Sequence, residues 1–540
     1  MKRSKIALAS VALAGIGALA LAGCASGGSD EPTPAGGDAG AIIKVNGSEP
    51  ENPLFPANTN ETGGGKIVDS IYAGLAYYDG EGNIVNDVAD SITVDDANTI
   101  TVKLKEGQKF SNDEAVTADS FIKAWNYGAL KSNAQKNASW FSDIEGYSEE
   151  TDSELTGLTK VDDTTFTIKL SNPVAADFVQ RLGYSAYYPL PEVAFEDPAA
   201  FGENPIGNGP YKLAGEGAWQ HDVEINLVKN DAYTGGREAK NGGLDIVFYA
   251  NLDGAYADLQ SGNLDVLDAI PTSAQATFES DLGERAVNQP AAIFQSFTIP
   301  ESLAHFSGEE GQLRREALSL AIDRDAITKT IFNGTRTPAS DFSSPVIGGW
   351  SDSLEGADVL KYNQDKAKEL WAEADKISPW SGTFQIAYNS DGGHQAWVDA
   401  TTNSIKNTLG IDASGAPFVD FASLRTEVTN RTITTAFRTG WQADYPGLYN
   451  FLAPLYQTGA SSNDGDYSNP EFDKLLASGA AADSVDAATA DYEKAQEILL
   501  KDLPAIPLWY SNVNGGYADT VQNVVFGWNS VPLYYQITKG

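Results

Sequence analysis

The side chains able to do chemistry are few: one cysteine, Cys24, and three histidines, His221, His305 and His394, among 540 residues. The histidines stand far apart in sequence, and none is spaced for a metal site. Walker A, His-Glu-x-x-His, Gly-x-Ser-x-Gly and paired-cysteine patterns are all missing, so most hydrolase, nucleotide and metal chemistry loses support. Carboxylate pairs at Asp95-Asp96 and Asp162-Asp163 precede strand patterns and suit turns better than two-carboxylate catalysis. The most suggestive grouping is Arg438-Thr439-Gly440-Trp441-Gln442-Ala443-Asp444. If this stretch is extended, its base and its acid have even spacing and face one side, at most roughly 20 Å apart. Residue type alone leaves a second reading open, in which Asp444-Tyr445-Pro446-Gly447 is a plain turn and Arg438 a surface charge.

Those groups need a large scaffold, and the composition supplies one. Hydrophobic residues make up 42% and charged residues 20%, too large a chain for one core, so two or three packed domains are expected. The formal charge of -38 argues against nucleic acid as a partner. Aromatics at 10% suffice to fill cores and still line a groove. Strand patterns fall at 42–46, 100–104, 164–170 and 244–249, and helical spacing is clearest over 312–332 and 487–500. Further helices are expected to begin at Thr117, Gln364, Ala396 and Pro470. The mixture predicts an α/β or α+β body, with Pro/Gly punctuation at 204–210 as a domain boundary.

The N-terminus carries Lys2, Arg3 and Lys5 and then an apolar run from Ile6 to Ala22, a secretory signal pattern. Its end, Leu21-Ala22-Gly23-Cys24, resembles a bacterial lipobox, in which the cysteine becomes the lipid-bearing N-terminus. Residues 1–23 are thus expected to be a lipoprotein signal peptide. Residues 24–41, rich in Ser, Gly, Pro and Ala, would be a flexible tether spanning roughly 20–25 Å. No later run is long and apolar enough for a membrane helix.

The chain reads Ser-Ile-Thr-Val-Asp-Asp-Ala-Asn-Thr-Ile-Thr-Val-Lys-Leu-Lys-Glu-Gly-Gln-Lys-Phe-Ser-Asn-Asp-Glu-Ala-Val-Thr-Ala-Asp-Ser-Phe from Ser91 to Phe121, and this resembles the family 5 solute-binding proteins, the extracytoplasmic receptors of peptide ABC importers. Further segments agree in family order: Gly-Asn-Gly-Pro-Tyr-Lys-Leu at 207–213, Ala-Leu-Ser-Leu-Ala-Ile-Asp-Arg at 317–324, Gly-Trp-Gln-Ala-Asp-Tyr-Pro-Gly from Gly440, and Pro-Ala-Ile-Pro-Leu-Trp-Tyr from Pro504. Asn112-Asp113-Glu114 departs from the family's usual Asp-Gly turn, a local matter of turn geometry.

The resemblance implies an α/β, periplasmic-binding-protein-like two-lobed clamshell with an additional domain (cluster C type). Lobe I with the hinge would comprise 42–72, 207–298 and 512–540, the extra domain 73–206, and lobe II 299–511. It further implies an oligopeptide receptor, not an enzyme, acting as a monomer without cofactor or metal, held to the outer face of the bacterial cell membrane through lipid on Cys24, and serving an ABC permease. A receptor for many peptide sequences holds what peptides share: two charged ends and an unpaired backbone. By this resemblance Asp444 receives the ligand amino group, Arg438 its carboxylate, and Gly440, Trp441 and Gln442 pair with its backbone. Arg431 and Arg425 are alternative bases. Trp441, Trp509 and Tyr510 are candidate pocket walls, although aromatics at such spacing are more often core, and Asn60, Glu61 and Thr62 are expected as the opposite edge. Relatives of the same fold carry oligosaccharides or nickel complexes. Scarce histidines disfavour nickel, and a sugar would not need the acid at 444. A tethered hydrolase or adhesin is the reading from a different class.

Overall fold

The computed structural model describes residues 38–390, 393–419, 421–460 and 462–540. The signal segment, Cys24 and the tether as far as residue 37 lie outside the described residues.

Two strands of 13 residues, Ala286–Thr298 and Ala505–Tyr517, run antiparallel through the middle of the main sheet. On one side follow Val266–Leu267, Ile42–Gly47, Gly243–Phe248, Glu224–Lys229 and Tyr211–Leu213. On the other lie Ala436–Gln442, Thr383–Asn389 and Asp412–Phe418. The central pair therefore belongs to both halves, and the chain is a two-lobed α/β clamshell. Its ladder is irregular between Pro290 and Phe294 and again between Gln295 and Ser296. Such shifts bend and twist a strand pair locally.

A separate four-stranded antiparallel sheet, Ala89–Asp96, Thr99–Leu104, Thr165–Lys169 and Leu158–Lys160, lies off the main sheet. Phe121 stacks on Phe166 at its core, and Trp125 meets Phe166 edge-on. The carboxylate pairs flanking its strands serve turns: Asp96 accepts from the Asn98 amide and Asp162 from the Thr164 amide.

Helix Ala118–Ala129 starts at Thr117, whose capping box with Ser120 satisfies two amides reciprocally. Helices Gln364–Ile377, Gln395–Leu409, Pro470–Ala480 and Val485–Asp502 match the sequence periodicity. The stretch 312–332 is instead two helices, Gly308–Leu320 and Arg324–Ile331. Asp323 breaks it by accepting from the Ala326 amide, a cap that starts a new helix rather than continuing the old one. The glycines at 207 and 209 are required by close packing. A Cβ on Gly207 would meet the Ile71 carbonyl oxygen at 1.9 Å, and one on Gly209 would meet Tyr72 backbone at 2.6 Å. Between them buried Asn208 accepts from the Ala73 amide and donates to its carbonyl, locking this segment under helix Thr62–Ile71.

Candidate functional site

Strand Ala436–Gln442 carries the central candidate residues. Its inner edge pairs with Ile293–Thr298 along its length, from Phe437 to Gln442. Its outer edge pairs with Thr383–Asn389 only at Ala436 and Phe437. Among the described residues, 438–442 therefore present one strand edge without a strand partner, and unpaired amides and carbonyls on an edge are a template for another chain. At Gly440 the backbone is bare, and a Cβ there would lie 3.1 Å from the Phe294 carbonyl oxygen.

The strand ends at a Tyr445-Pro446-Gly447 turn that opens helix Leu448–Tyr456. Asn450, in its first turn and buried, ties three groups together. Its Oδ1 accepts from Trp441 Nε1 at 3.1 Å and from the Asp444 amide at 2.9 Å, and its Nδ2 donates to Asp444 Oδ2 at 3.0 Å. The neighbouring Tyr445 hydroxyl donates to buried Asp177 of helix Ala175–Arg181 at 2.6 Å, and Asp177 is in turn ion-paired with Arg181. The carboxylate of Asp444 is thus held from behind while its face stays open.

Asp444 and Gln442 line a cleft of about 390 Å³ whose opposite wall is Asn60, Glu61 and Thr62. Both segments line this one cleft. Glu61 caps helix Thr62–Ile71 by accepting from the Gly64 amide at 2.7 Å, and Asn137 Nδ2 holds the loop by donating to the Thr59 carbonyl at 2.8 Å. Tyr184 and Trp528 complete the walls, Tyr184 stacked on Trp140 at 3.9 Å. Asp444 also borders a second cavity of about 380 Å³ with Trp140, Arg181 and Tyr449.

Water reaches the Asp444 carboxylate, yet the enclosing walls strip part of its solvation and raise its pKa, with the Asn450 amide opposing. Burial, and then Asp444 itself, push the Tyr184 phenol up. Among the described residues no Lys or Arg forms an ion pair with Asp444.

Arg438 lies elsewhere. With Gly440 and Trp441 it lines a cavity of about 220 Å³ that also receives Arg425 and Asp464. Its Nε donates to Asn389 at 3.0 Å. Base and acid thus flank one strand run but do not share a cavity. Arg425 and Arg431 both reach Asp464, and Arg431 reaches Asp466 as well.

Trp509 and Tyr510 depart from expectation. They are 2% and 1% exposed, in the middle strand of the sheet. Trp509 packs edge-on against Phe332 and Trp397, and the Tyr510 hydroxyl donates to Asp341 at 2.6 Å while accepting from the Ser340 and Asp341 amides. They are core residues because strand Ala505–Tyr517 is flanked and covered on all sides. The cleft aromatics are instead Tyr78, Tyr184 and Trp528, contributed by three remote segments that no local pattern joins.

The histidines are engaged singly, His221 with Glu49 and Glu203, His305 with Glu310, and His394 with Trp397. Among the described residues no helix is long and apolar enough to cross a membrane.

Residues 83–463 match the bacterial extracellular solute-binding proteins, family 5, middle segment. The oligopeptide-binding protein OppA of Bacillus subtilis is 26% identical over 496 residues, 86% of each chain. The periplasmic oligopeptide-binding protein OppA of Haemophilus influenzae is 28% identical over 492 residues, 87% of each. Among solved structures, the unliganded open form of the periplasmic murein tripeptide-binding protein MppA superposes with a TM-score of 0.84 at 21% identity, covering 94% of this chain and 99% of that one. The Haemophilus influenzae OppA complex with the peptide RPPGFSPFR superposes at 0.65 and 24% identity, covering 93% and 99%. The match spans well over half of the sequence, and the chain belongs to the bacterial extracellular solute-binding proteins of family 5, receptors for solutes and not enzymes.

Proposed function

We propose that this protein is the oligopeptide receptor of an ABC importer, lipid-anchored through Cys24 and delivering its ligand to a membrane permease. The observation that carries the reading is the Asp444 carboxylate, open to the cleft and without a cationic partner among the described residues, at the end of a strand run whose outer edge is unpaired. A peptide laid along 438–442 would add a strand through Gly440, Trp441 and Gln442 and place its ammonium at Asp444. Arg438 would meet the carboxylate of a short ligand, and Asn60, Glu61 and Thr62 would cover it from the other lobe. The names of the relatives, oligopeptide-binding proteins, support the ligand class.

We assign the lobes as 42–72 with 207–298 and 512–540, and 299–511, with 73–206 as the added domain. The four-stranded sheet within 89–169 and the central strand pair reaching both lobes support this division. The irregular ladder at 290–296 lies where a hinge must bend. Greater likeness to an unliganded open form than to a peptide complex supports an open state that closes over ligand. Closure removes water from the pair between Asp444 and the ammonium and so strengthens it. The protein would act as a monomer.

Small-angle X-ray scattering tests this directly. Saturating tripeptide should lower the radius of gyration, while an oligosaccharide of similar length should leave it unchanged. Contraction with the sugar and none with peptides would overturn the peptide assignment.

A further inference from the structure

A smaller chamber of about 80 Å³ continues the cleft. The two share Lys66, Asp69, Tyr78 and Trp528, so they adjoin. Beyond that shared boundary its walls are Tyr77, Tyr188, Tyr211 and Tyr534. That volume admits a group of side-chain size and no more.

The charges around it sort into committed and uncommitted. Lys66 is ion-paired with Asp268, both nearly buried. Arg237 pairs with Asp87 at 3.2 Å and donates to the Asp69 and Tyr72 carbonyls at 2.6 and 2.8 Å. Asp79, at the rim, is occupied by the amides of Glu81 and Asn83 in a turn. What remains is the Asp69 carboxylate, which accepts from the Tyr188 hydroxyl at 2.9 Å and forms no ion pair among the described residues. Burial raises its pKa, while the nearby Arg237 charge and the Tyr188 hydroxyl pull it down.

A second observation concerns one of the wall residues. Tyr534 is 5% exposed, and its hydroxyl has no hydrogen-bond partner among the described residues. A buried hydroxyl without a partner costs free energy that a polar ligand atom would recover. Tyrosine faces attract a cation, a carboxylate neutralises it, and a free hydroxyl accepts one of its protons. An anion is disfavoured, because both basic groups are already spent on Asp268 and Asp87.

We propose that the chamber is a specificity subsite for a primary ammonium at the end of an unbranched alkyl chain, as on a peptide whose first residue is lysine. This rests on the peptide reading above, since the chamber adjoins the cleft where the ligand's amino end is placed.

Calorimetric titration with Lys-Ala-Ala, norleucine-Ala-Ala and Ala-Ala-Ala tests it, because norleucine keeps the alkyl chain and removes the ammonium. The lysine peptide should bind about tenfold tighter than the norleucine peptide, the worth of one charge-assisted contact. Asp69→Asn should collapse that ratio towards one. Tyr534→Phe, which removes a hydroxyl without a partner among the described residues and so should leave folding intact, should reduce the ratio about threefold. A ratio near one in the natural protein, or one that survives both substitutions, overturns the subsite while leaving the peptide receptor standing. Failure of all three peptides to bind would overturn both.

Discussion

The two ends of strand Ala436–Gln442 differ in how far their polar groups are already satisfied. At the Arg438 end the guanidinium donates to Asn389, and the Thr439 hydroxyl lies 2.7 Å from that of Ser296 and 3.2 Å from that of Thr298. At the Asp444 end one amide from Asn450 holds one carboxylate oxygen, and the cleft holds the rest. A group already paired gains little from a ligand, since it must exchange one partner for another, whereas an under-solvated, unpaired carboxylate gains a full charge-assisted bond. The comparison therefore makes Asp444 the anchor and Arg438 an adjustable contact. The same logic separates Tyr510, whose hydroxyl is fully used by Asp341 and two amides, from Tyr534, whose hydroxyl is not.

The largest effect should come from a satisfied, buried group and should fall on stability alone. Trp509→Ala opens a void against Phe332 and Trp397 and should cost about 3–5 kcal/mol in chemical denaturation. Peptide affinity of the folded protein should stay within about twofold, as for a distant site. A collapse of affinity without loss of stability would return Trp509 to the pocket.

Asp444→Ala should come next and fall on binding. A free tripeptide should bind about 30–100-fold more weakly by calorimetry, while its N-acetylated form should be unaffected. Equal losses for both would remove the amine-binding role.

A pH series sharpens the same point. Asp444 must be ionised to hold an ammonium, burial raises its pKa in the empty cleft, and a bound ammonium would lower it again. Affinity for free peptides should therefore be flat at neutral pH. It should fall as pH drops through the raised value, beginning above the usual carboxylate range near about 4 and approaching about tenfold per pH unit. The N-acetylated peptide should show no such slope, and parallel slopes would contradict the assignment.

The smallest effect is expected at the satisfied end. Arg438→Gln should weaken a tripeptide by about three- to tenfold and a C-terminally amidated one hardly at all. A loss exceeding that of Asp444→Ala would invert the comparison.

Much of this was legible in the sequence. The strand and helix patterns located most elements, and motif resemblance located the clamshell, because both depend on local spacing and turn chemistry that survive in any one chain. That Gln442 and Asp444 belong to one site with Asn60–Thr62 was an expectation of the resemblance and not of spacing, since about two thirds of the chain lies between them. Where sequence reasoning missed, the cause was burial. Trp509 and Tyr510 are neighbours on one strand and so point to opposite faces, and only the sheet order, which places their strand between neighbours, shows both faces to be covered. Asn450 carried a faint signal, an amide in the first turn after Pro446-Gly447, but its three hydrogen bonds need the fold to be seen. Tyr78, Tyr184 and Trp528 carried none, because their meeting is a product of topology alone. The break at Asp323 was present as a capping residue that the strong apolar periodicity around it concealed.

The most direct test of the whole account is native mass spectrometry of the protein purified gently from its cells. The account predicts co-purified masses matching short peptides with free amino ends, lost on Asp444→Ala. Masses spaced by hexose units, retained by that variant, would contradict it.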